Sequence, residues 1–551
     1  MYQYTPADQL SIEQRAAQFR GQVERFKAGD IDEDEFRNLR LRNGLYYQIH
    51  AHMLRIAIPY GVVNSEQMKM FGHICRTYDK GYGHFTTRQN LQINWPELED
   101  VPTILEELST VQVHAIQTSG NCIRNITSDH LAGIATDEIE DPRPYCEVLR
   151  HWSTFHPEFN WLPRKFKFAV TGAEQDRAAV QWHDIGLRLV KNDQGDVGFQ
   201  VLVGGGMGRT PVIGKVICEF LDKKHLKSYM ECILRVYNLH GRRDNKYKAR
   251  IKILVNAMGI DKFRDEVGAE WEILKQDPSL WLEDDEINAM RAHFEHPPES
   301  PKQTSAIDNI PVQDENYERW LAHNVETGHV LEGYRAVYIS LKEPGVAPGD
   351  ATSEQMEAIA DIAEKFSRSE IRVTHEQNLV LSYVRETELY ALWLELAKQN
   401  LATPNIGSIN DMICCPGLDF CSLANATTIP VAATINERFN DINELHNIGD
   451  IKLKMSGCMN ACGHHHAGHI GILGVDKKGK EWYQFTLGGS ADNDSALGKR
   501  LGPAVEKENV TATLDAILEV YLENRENGEP FLDAVNRLGI EPFKERVYAS
   551  H

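Results

Sequence analysis

The chain has 551 residues, enough for three or four domains at roughly 150 residues each. A composition of 42% hydrophobic, 9% aromatic and 25% charged residues excludes a disordered chain, a fibre and a small disulfide-stapled scaffold. Lysine plus arginine total 59 against 80 for aspartate plus glutamate, and the resulting charge of −21 argues against a nucleic-acid partner.

The N-terminus, Met1-Tyr-Gln-Tyr-Thr-Pro-Ala-Asp, has neither the basic stretch nor the apolar run of a secretion signal. No apolar run of about 18 residues follows it. We therefore expect a cytoplasmic chain with no membrane partner. Residues 1–44, charged at Arg15, Glu24 and Arg37 among others, read as a helical extension. Residues 45–115 read strand, helix, strand: an apolar run from Met53 to Ile58, a helix capped near Asn64, then a strand bearing Gln89-Asn90-Leu91.

That unit recurs. Ser65-Glu66-Gln67-Met68 returns as Ser353-Glu354-Gln355-Met356, and Gln89-Asn90-Leu91 as Gln377-Asn378-Leu379, both 288 residues on. Thr171-Gly172 is answered by Ser456-Gly457 at 285, and Gly204-Gly205 by Gly488-Gly489 at 284. Four matches in order at a nearly constant offset indicate an internal duplication. The expected organisation is an extension (1–44), a small front unit and a larger back unit (45–115, 116–295), a polar linker (296–325), and a second pair (326–400, 401–551). The fold class is α+β, with the copies in a pseudo-twofold arrangement. A site at their interface would draw different residues from each.

The two copies differ in their chemistry. The first carries the basic runs Arg164-Lys165-Phe166-Lys167 and Arg242 to Lys252. The second carries the thiols. Cys75, Cys122, Cys146, Cys218 and Cys232 are scattered and read as small buried hydrophobes. Cys414, Cys415, Cys421, Cys458 and Cys462 fall within 49 residues. Cys415 to Cys421 and Cys458 to Cys462 give C-x5-C and C-x3-C, four thiolates for a 4Fe-4S cluster or a tetrahedral zinc. Structural zinc favours C-x2-C knuckles, which neither half supplies. Cys-x-x-Cys-His is absent, Gly204 to Arg209 fails the dinucleotide pattern at Arg209, and no phosphate-binding loop occurs. Electrons would then come from a separate protein.

These residues resemble the siroheme and 4Fe-4S containing assimilatory sulfite and nitrite reductases. The likeness rests on the thiol spacing, on Thr86-Thr87-Arg88-Gln89, on Leu162 to Lys167, and on Leu202-Val203-Gly204-Gly205-Gly206, and it runs from about residue 45 to the C-terminal region. It implies ferredoxin-like half-domains at 45–115 and 326–400, and larger siroheme and Fe-S binding domains at 116–295 and 401–551. It implies that Cys415, Cys421, Cys458 and Cys462 hold the cluster and that Cys462 also ligates the siroheme iron. Arg55, Arg124, Lys165 and Lys167 match the substrate-pocket cations. Arg88, Arg243 and Arg250 match positions for the siroheme carboxylates, and Gln89, Gly204, Gly205 and Gly206 lie in the cofactor-binding motifs.

The resemblance also implies sulfite reduction to sulfide in sulfur assimilation, with nitrite reduction to ammonia as the alternative and an electron carrier or zinc-binding interaction protein as more distant ones. The donor would be a ferredoxin or a flavoprotein subunit. Along a strand Lys165 and Lys167 share one face while Phe166, Phe168 and Val170 share the other, so two ammonium groups point into one space. Cys414 and the His464-His465-His466 triplet depart from the family pattern.

Overall fold

The computed structural model describes residues 1–295 and 314–549. Most of the expected linker, 296–313, lies outside them, and the rest of that range contains a helix, Glu315–Asn324. The N-terminal extension is helical over Pro6–Ala28 and Glu33–Arg42. Phe19, Val23 and Phe36 enter the same core as the first front unit, and Arg20 pairs with Glu106 across the join.

The strands of the first copy are β1 (Leu45–Tyr47), β2 (His52–Ile56), β3 (Val62–Asn64), β4 (Tyr82–Phe85), β5 (Leu91–Ile93), β6 (Thr127–Ser128), β7 (Phe168–Thr171), β8 (Ile185–Lys191), β9 (Val197–Val203) and β10 (Lys215–Asp222). Those of the second are β11 (Tyr334–Ile339), β12 (Asp350–Thr352), β13 (Glu370–Val373), β14 (Leu379–Arg385), β15 (Ile413–Cys414), β16 (Leu453–Ser456), β17 (Ile470–Lys477) and β18 (Lys480–Leu487).

The front sheets exchange strands. Sheet order is β1-β2-β5-β4-β12 in one and β11-β14-β13-β3 in the other. Thus β12 pairs antiparallel with β4, Thr352 opposite Tyr82, and β3 pairs with β13, Asn64 opposite Glu370. Immediately after each exchanged strand a helix begins, Ser65–Tyr78 in one copy and Ser353–Phe366 in the other. Asn64 Oδ1 accepts from Gln67 N at 2.8 Å and Gln67 Oε1 from Asn64 N at 3.1 Å. Thr352 and Gln355 repeat this box at 3.1 Å both ways. Each cap therefore ends a strand and starts a helix at one residue. Asn64→Ala and Thr352→Ala should each cost about 1 kcal/mol, read as a lowered urea midpoint at unchanged m-value. The two helices pack together, with Phe71, Ile74, Met356 and Ile359 in one continuous core.

The back sheets follow one plan. β6, β7 and β8 are parallel and β9 antiparallel; β15, β16 and β17 are parallel and β18 antiparallel. Each sheet has its own core, the first with Phe166, Phe168 and Leu187, the second with Leu453, Ile472 and Phe485. Loops at the ends of the short parallel strands of both sheets meet at the interface, and the site lies there.

The turns that carry the Gln-Asn-Leu element cross-brace the copies. Gln89 and Gln377 both adopt positive φ, 55° and 63°. Gln89 donates to Ser128 O and Val373 O at 2.9 Å and accepts from Ser128 N. Gln377 donates to Phe85 O and accepts from Cys414 N at 2.9 Å. Neither side chain has exposed surface to offer a cofactor. Gln89, expected among the cofactor-binding residues, stands in the structure as a brace.

Candidate functional site

Cys415 directly follows β15 and Cys458 comes two residues after β16, so the parallel pair delivers both thiols to one end of the sheet. Cys421 follows a short turn at Gly417–Asp419, and Cys462 lies on the loop beyond Cys458. That loop is tight: a Cβ at Gly463 would sit 1.9 Å from Met455 O. Cys415, Cys421 and Cys458 lie within electrostatic reach of Cys462. Among the described residues no three His, Cys, Asp or Glu side chains gather closely enough for a single ion. Four thiols spaced C-x5-C and C-x3-C, with no C-x2-C knuckle, suit a cube better than a zinc.

Main-chain amides point at the sulfurs. Gly457 N donates to Cys415 Sγ at 3.2 Å and Asn460 N to Cys458 Sγ at 3.5 Å. Burial pushes the Cys415 thiol up to about 12, and raises Cys421 and Cys458, each with its neighbouring thiol adding. Such thiols persist together as thiolates only around a positive centre, so the donor set fits an iron–sulfur cluster. Cys414 is buried beside Cys415, with Asp419 and Asp350 also near it, and its Sγ donates to Cys415 O at 3.3 Å.

Opposite Cys462 the first copy presents its cations. Arg55 lies on β2 between buried Leu54 and Ile56, and donates to Gln92 at 3.0 Å, while its buried Nε has no partner among the described residues. Arg124 is held by the carbonyls of Thr118 at 2.7 Å and Gly120 at 2.9 Å. Lys165 and Lys167 flank buried Phe166, both mostly covered by protein and partly exposed. Burial pushes Lys165 down to about 7, with Arg124, Arg250 and Arg164 adding and Cys462 opposing. Burial likewise pushes Lys167 well down, with Lys165, Arg88 and Arg250 adding. An anion beside them would relieve the repulsion.

The expected siroheme-carboxylate arginines separate. Arg88 donates to Asn125 O at 2.5 Å and Thr127 Oγ1 at 2.9 Å, and burial lowers it to about 9 beside Arg124, Arg250 and Arg55. Arg250 grips Asp184 at 2.7 Å through Nη2 and at 3.0 Å through Nε. Arg243 is exposed and tied to Trp161 O and Asn238, apart from this group. At Gly205 a Cβ would lie 2.2 Å from Gln181 O, and Gly204 and Gly206 have φ of 77° and 155°. Lys252 fastens that loop through the carbonyls of Met207 at 2.5 Å and Thr210 at 2.6 Å.

Asp184 and Tyr46 were invisible to motif reading, and the structure also gives roles to Thr87 and the histidine triplet. Asp184, fully buried, also accepts from Lys167 N at 2.9 Å and so fixes two cationic positions at once. Thr87 donates to Cys462 O at 3.0 Å, tying the first copy's turn to the thiol loop. Tyr46 lies with its ring 5.3 Å from the Arg55 guanidinium. Burial raises its hydroxyl, but Arg124 and Arg55 outweigh this and hold it below a phenol's usual value. In the histidine triplet, His464 and His465 are buried, and His466 bonds Gly208 O at 3.0 Å.

Models of two protein families match the chain. The nitrite and sulphite reductase 4Fe-4S domain covers residues 119–275 and 407–551, and the nitrite/sulfite reductase ferredoxin-like half domain covers 48–111 and 332–399. The chain is 27% identical over 504 residues to sulfite reductase [ferredoxin] 1 of Mycolicibacterium paratuberculosis, covering 89% of this chain and 83% of that one. It is equally 27% identical over 514 residues to the assimilatory ferredoxin-dependent nitrite reductase of Haloferax mediterranei, covering 90% and 83%. The solved structure of the Mycobacterium tuberculosis NirA protein shares the fold, with a TM-score of 0.78 at 23% identity over 95% of this chain and 94% of that one. No helix among the described residues is long and apolar enough to cross a membrane.

Proposed function

We propose that this chain, which belongs to the nitrite and sulphite reductase family and is an oxidoreductase with siroheme and a 4Fe-4S cluster, reduces sulfite to sulfide. The observation that carries the reading is the gathering of Arg124, Lys165 and Lys167, with Arg55 beside Arg124, in one enclosed space opposite Cys462. A three-oxygen anion able to carry two negative charges uses such a set more fully than nitrite, which has two oxygens and one charge.

Cys415, Cys421, Cys458 and Cys462 would hold the cluster, and Cys462 would also be the ligand to the siroheme iron. When bound, these groups supply single electrons and a metal to which the anion attaches. Arg88 and Arg250 would face the siroheme carboxylates, Arg250 with its orientation set by Asp184. Lys165 and Lys167 would hold the oxygens of the anion and pass protons from Nζ as water is lost. Arg55 and Arg124 would draw off negative charge through their guanidinium groups. Ferredoxin is the proposed electron donor, in keeping with the names of the relatives. The surface beside the thiols suits a docking partner: Leu423 and Met459 are exposed, and Lys80 sits 3.2 Å over the Trp95 ring.

Steady-state assays with electrochemically reduced methyl viologen test the choice of substrate. Sulfite is expected to give a kcat/KM about tenfold or more above that of nitrite. The reverse order would assign the chain to nitrite reduction.

A further inference from the structure

The exchange architecture builds the interface between copies twice. By strand register and turn position, Arg88 answers to Glu376, Arg55 to Tyr338 and Lys167 to Lys452. Cys415 and Cys462 answer to Asp129 and Arg177, which form an ion pair at 2.9 Å where the other interface carries two thiols. This second interface offers no sulfur to a metal, yet it encloses a cavity of about 280 Å³.

Most charges on the cavity wall are neutralised in pairs: Arg177 with Asp129 and Asp137, Lys452 with Asp492, Asp176 with Arg188, Asp411 with Lys342. Lys454 is one exception. Only 3% exposed, it has no hydrogen bond or ion pair among the described residues, and burial pushes it down to about 8 although Glu376 opposes. The carboxylates of Glu376 and Glu326 on the same wall are likewise unpaired among those residues. His130 meets the Tyr338 hydroxyl through Nε2 at 3.1 Å, and its buried Nδ1 has no partner among the described residues. With the hydroxyl donating, Nδ1 carries the proton.

A buried charge without a partner is strongly unfavourable. Here charges of both signs face one cavity and stop short of meeting. A cavity of about 280 Å³ takes several waters or one small organic molecule. We propose that the cavity binds a small zwitterion, an α-amino acid, with its carboxylate on Lys454 and His130 and its ammonium on Glu376.

Isothermal titration calorimetry of the holoenzyme tests this with L-alanine, L-serine, L-valine and L-methionine as probes. Propionate and ethylamine, which carry one charge each, serve as controls. At least one amino acid should bind saturably and more tightly than either control. Lys454→Met and Glu376→Gln should each weaken that binding by about thirtyfold or more, with the visible spectrum of the cofactors unchanged. The near-isosteric Glu376→Gln keeps the test open if Lys454→Met does not fold. No saturable binding, control binding as tight as any amino acid, or undiminished binding in the variants that fold would overturn the proposal. Heat of binding is read without turnover, so the result stands apart from which anion is reduced.

Discussion

Cys462→Ala is expected to abolish turnover of sulfite and nitrite alike and to remove the siroheme absorbance from the purified protein. Cys462 is the thiol that Lys165 and Lys167 face, and Thr87 of the other copy fixes its carbonyl. Its side chain is exposed toward that space while Cys458 is buried. A sulfur so placed would serve both cofactors, whereas Cys414 is buried beside Cys415 with its Sγ donating to Cys415 O. Iron, acid-labile sulfide and extracted tetrapyrrole, measured after anaerobic purification, check the expectation. Cys414→Ala is the control and should keep all three. Retention of siroheme and activity by Cys462→Ala would remove the thiol from its proposed place.

Lys165→Met and Lys167→Met are each expected to lower kcat by about 10²- to 10³-fold while both cofactors stay bound. Methionine keeps the bulk of the side chain and removes the charge and the proton. The wild-type pH profile should carry the same signature. Burial and neighbouring cations push Lys165 down to about 7 and Lys167 well below its ordinary value, so the pair loses its protons at lower pH than free lysines do. With nitrite, a monoanion throughout this range, kcat/KM should be highest on the acid side and decline as pH rises. The limb belongs to the pair, since each lysine raises the cost of protonating the other. Lys165→Met should flatten it. An unchanged profile together with wild-type turnover would sink the proton-donor role.

Much of this was legible in the sequence because it is local. The helix caps at Asn64 and Thr352 sit where polar residues precede an apolar periodicity, and the thiol spacing fixes the chemistry of its own loops. Alternation around Phe166 placed Lys165 and Lys167 on one face, as the burial of Phe166 and Phe168 bears out. Contacts between distant segments were not legible. A three-residue strand such as β3 reads the same whichever sheet it joins, so the exchange left no trace in the pattern. Asp184 and Tyr46 matter through neighbours far along the chain, and no spacing marks them. Gln89 lay in a motif with functional neighbours, and only its hydrogen bonds separate a brace from a ligand contact.

The reciprocal exchange of β3 and β12 bears on how the molecule is made. On the ribosome, β4 emerges long before β12, its sheet partner, and at about 5–20 residues per second the wait is roughly ten seconds to a minute. Through that interval the nascent first half carries an open sheet edge, a surface prone to pairing with other chains. A gene cut between the copies would yield two fragments, each lacking a strand that only the other can donate.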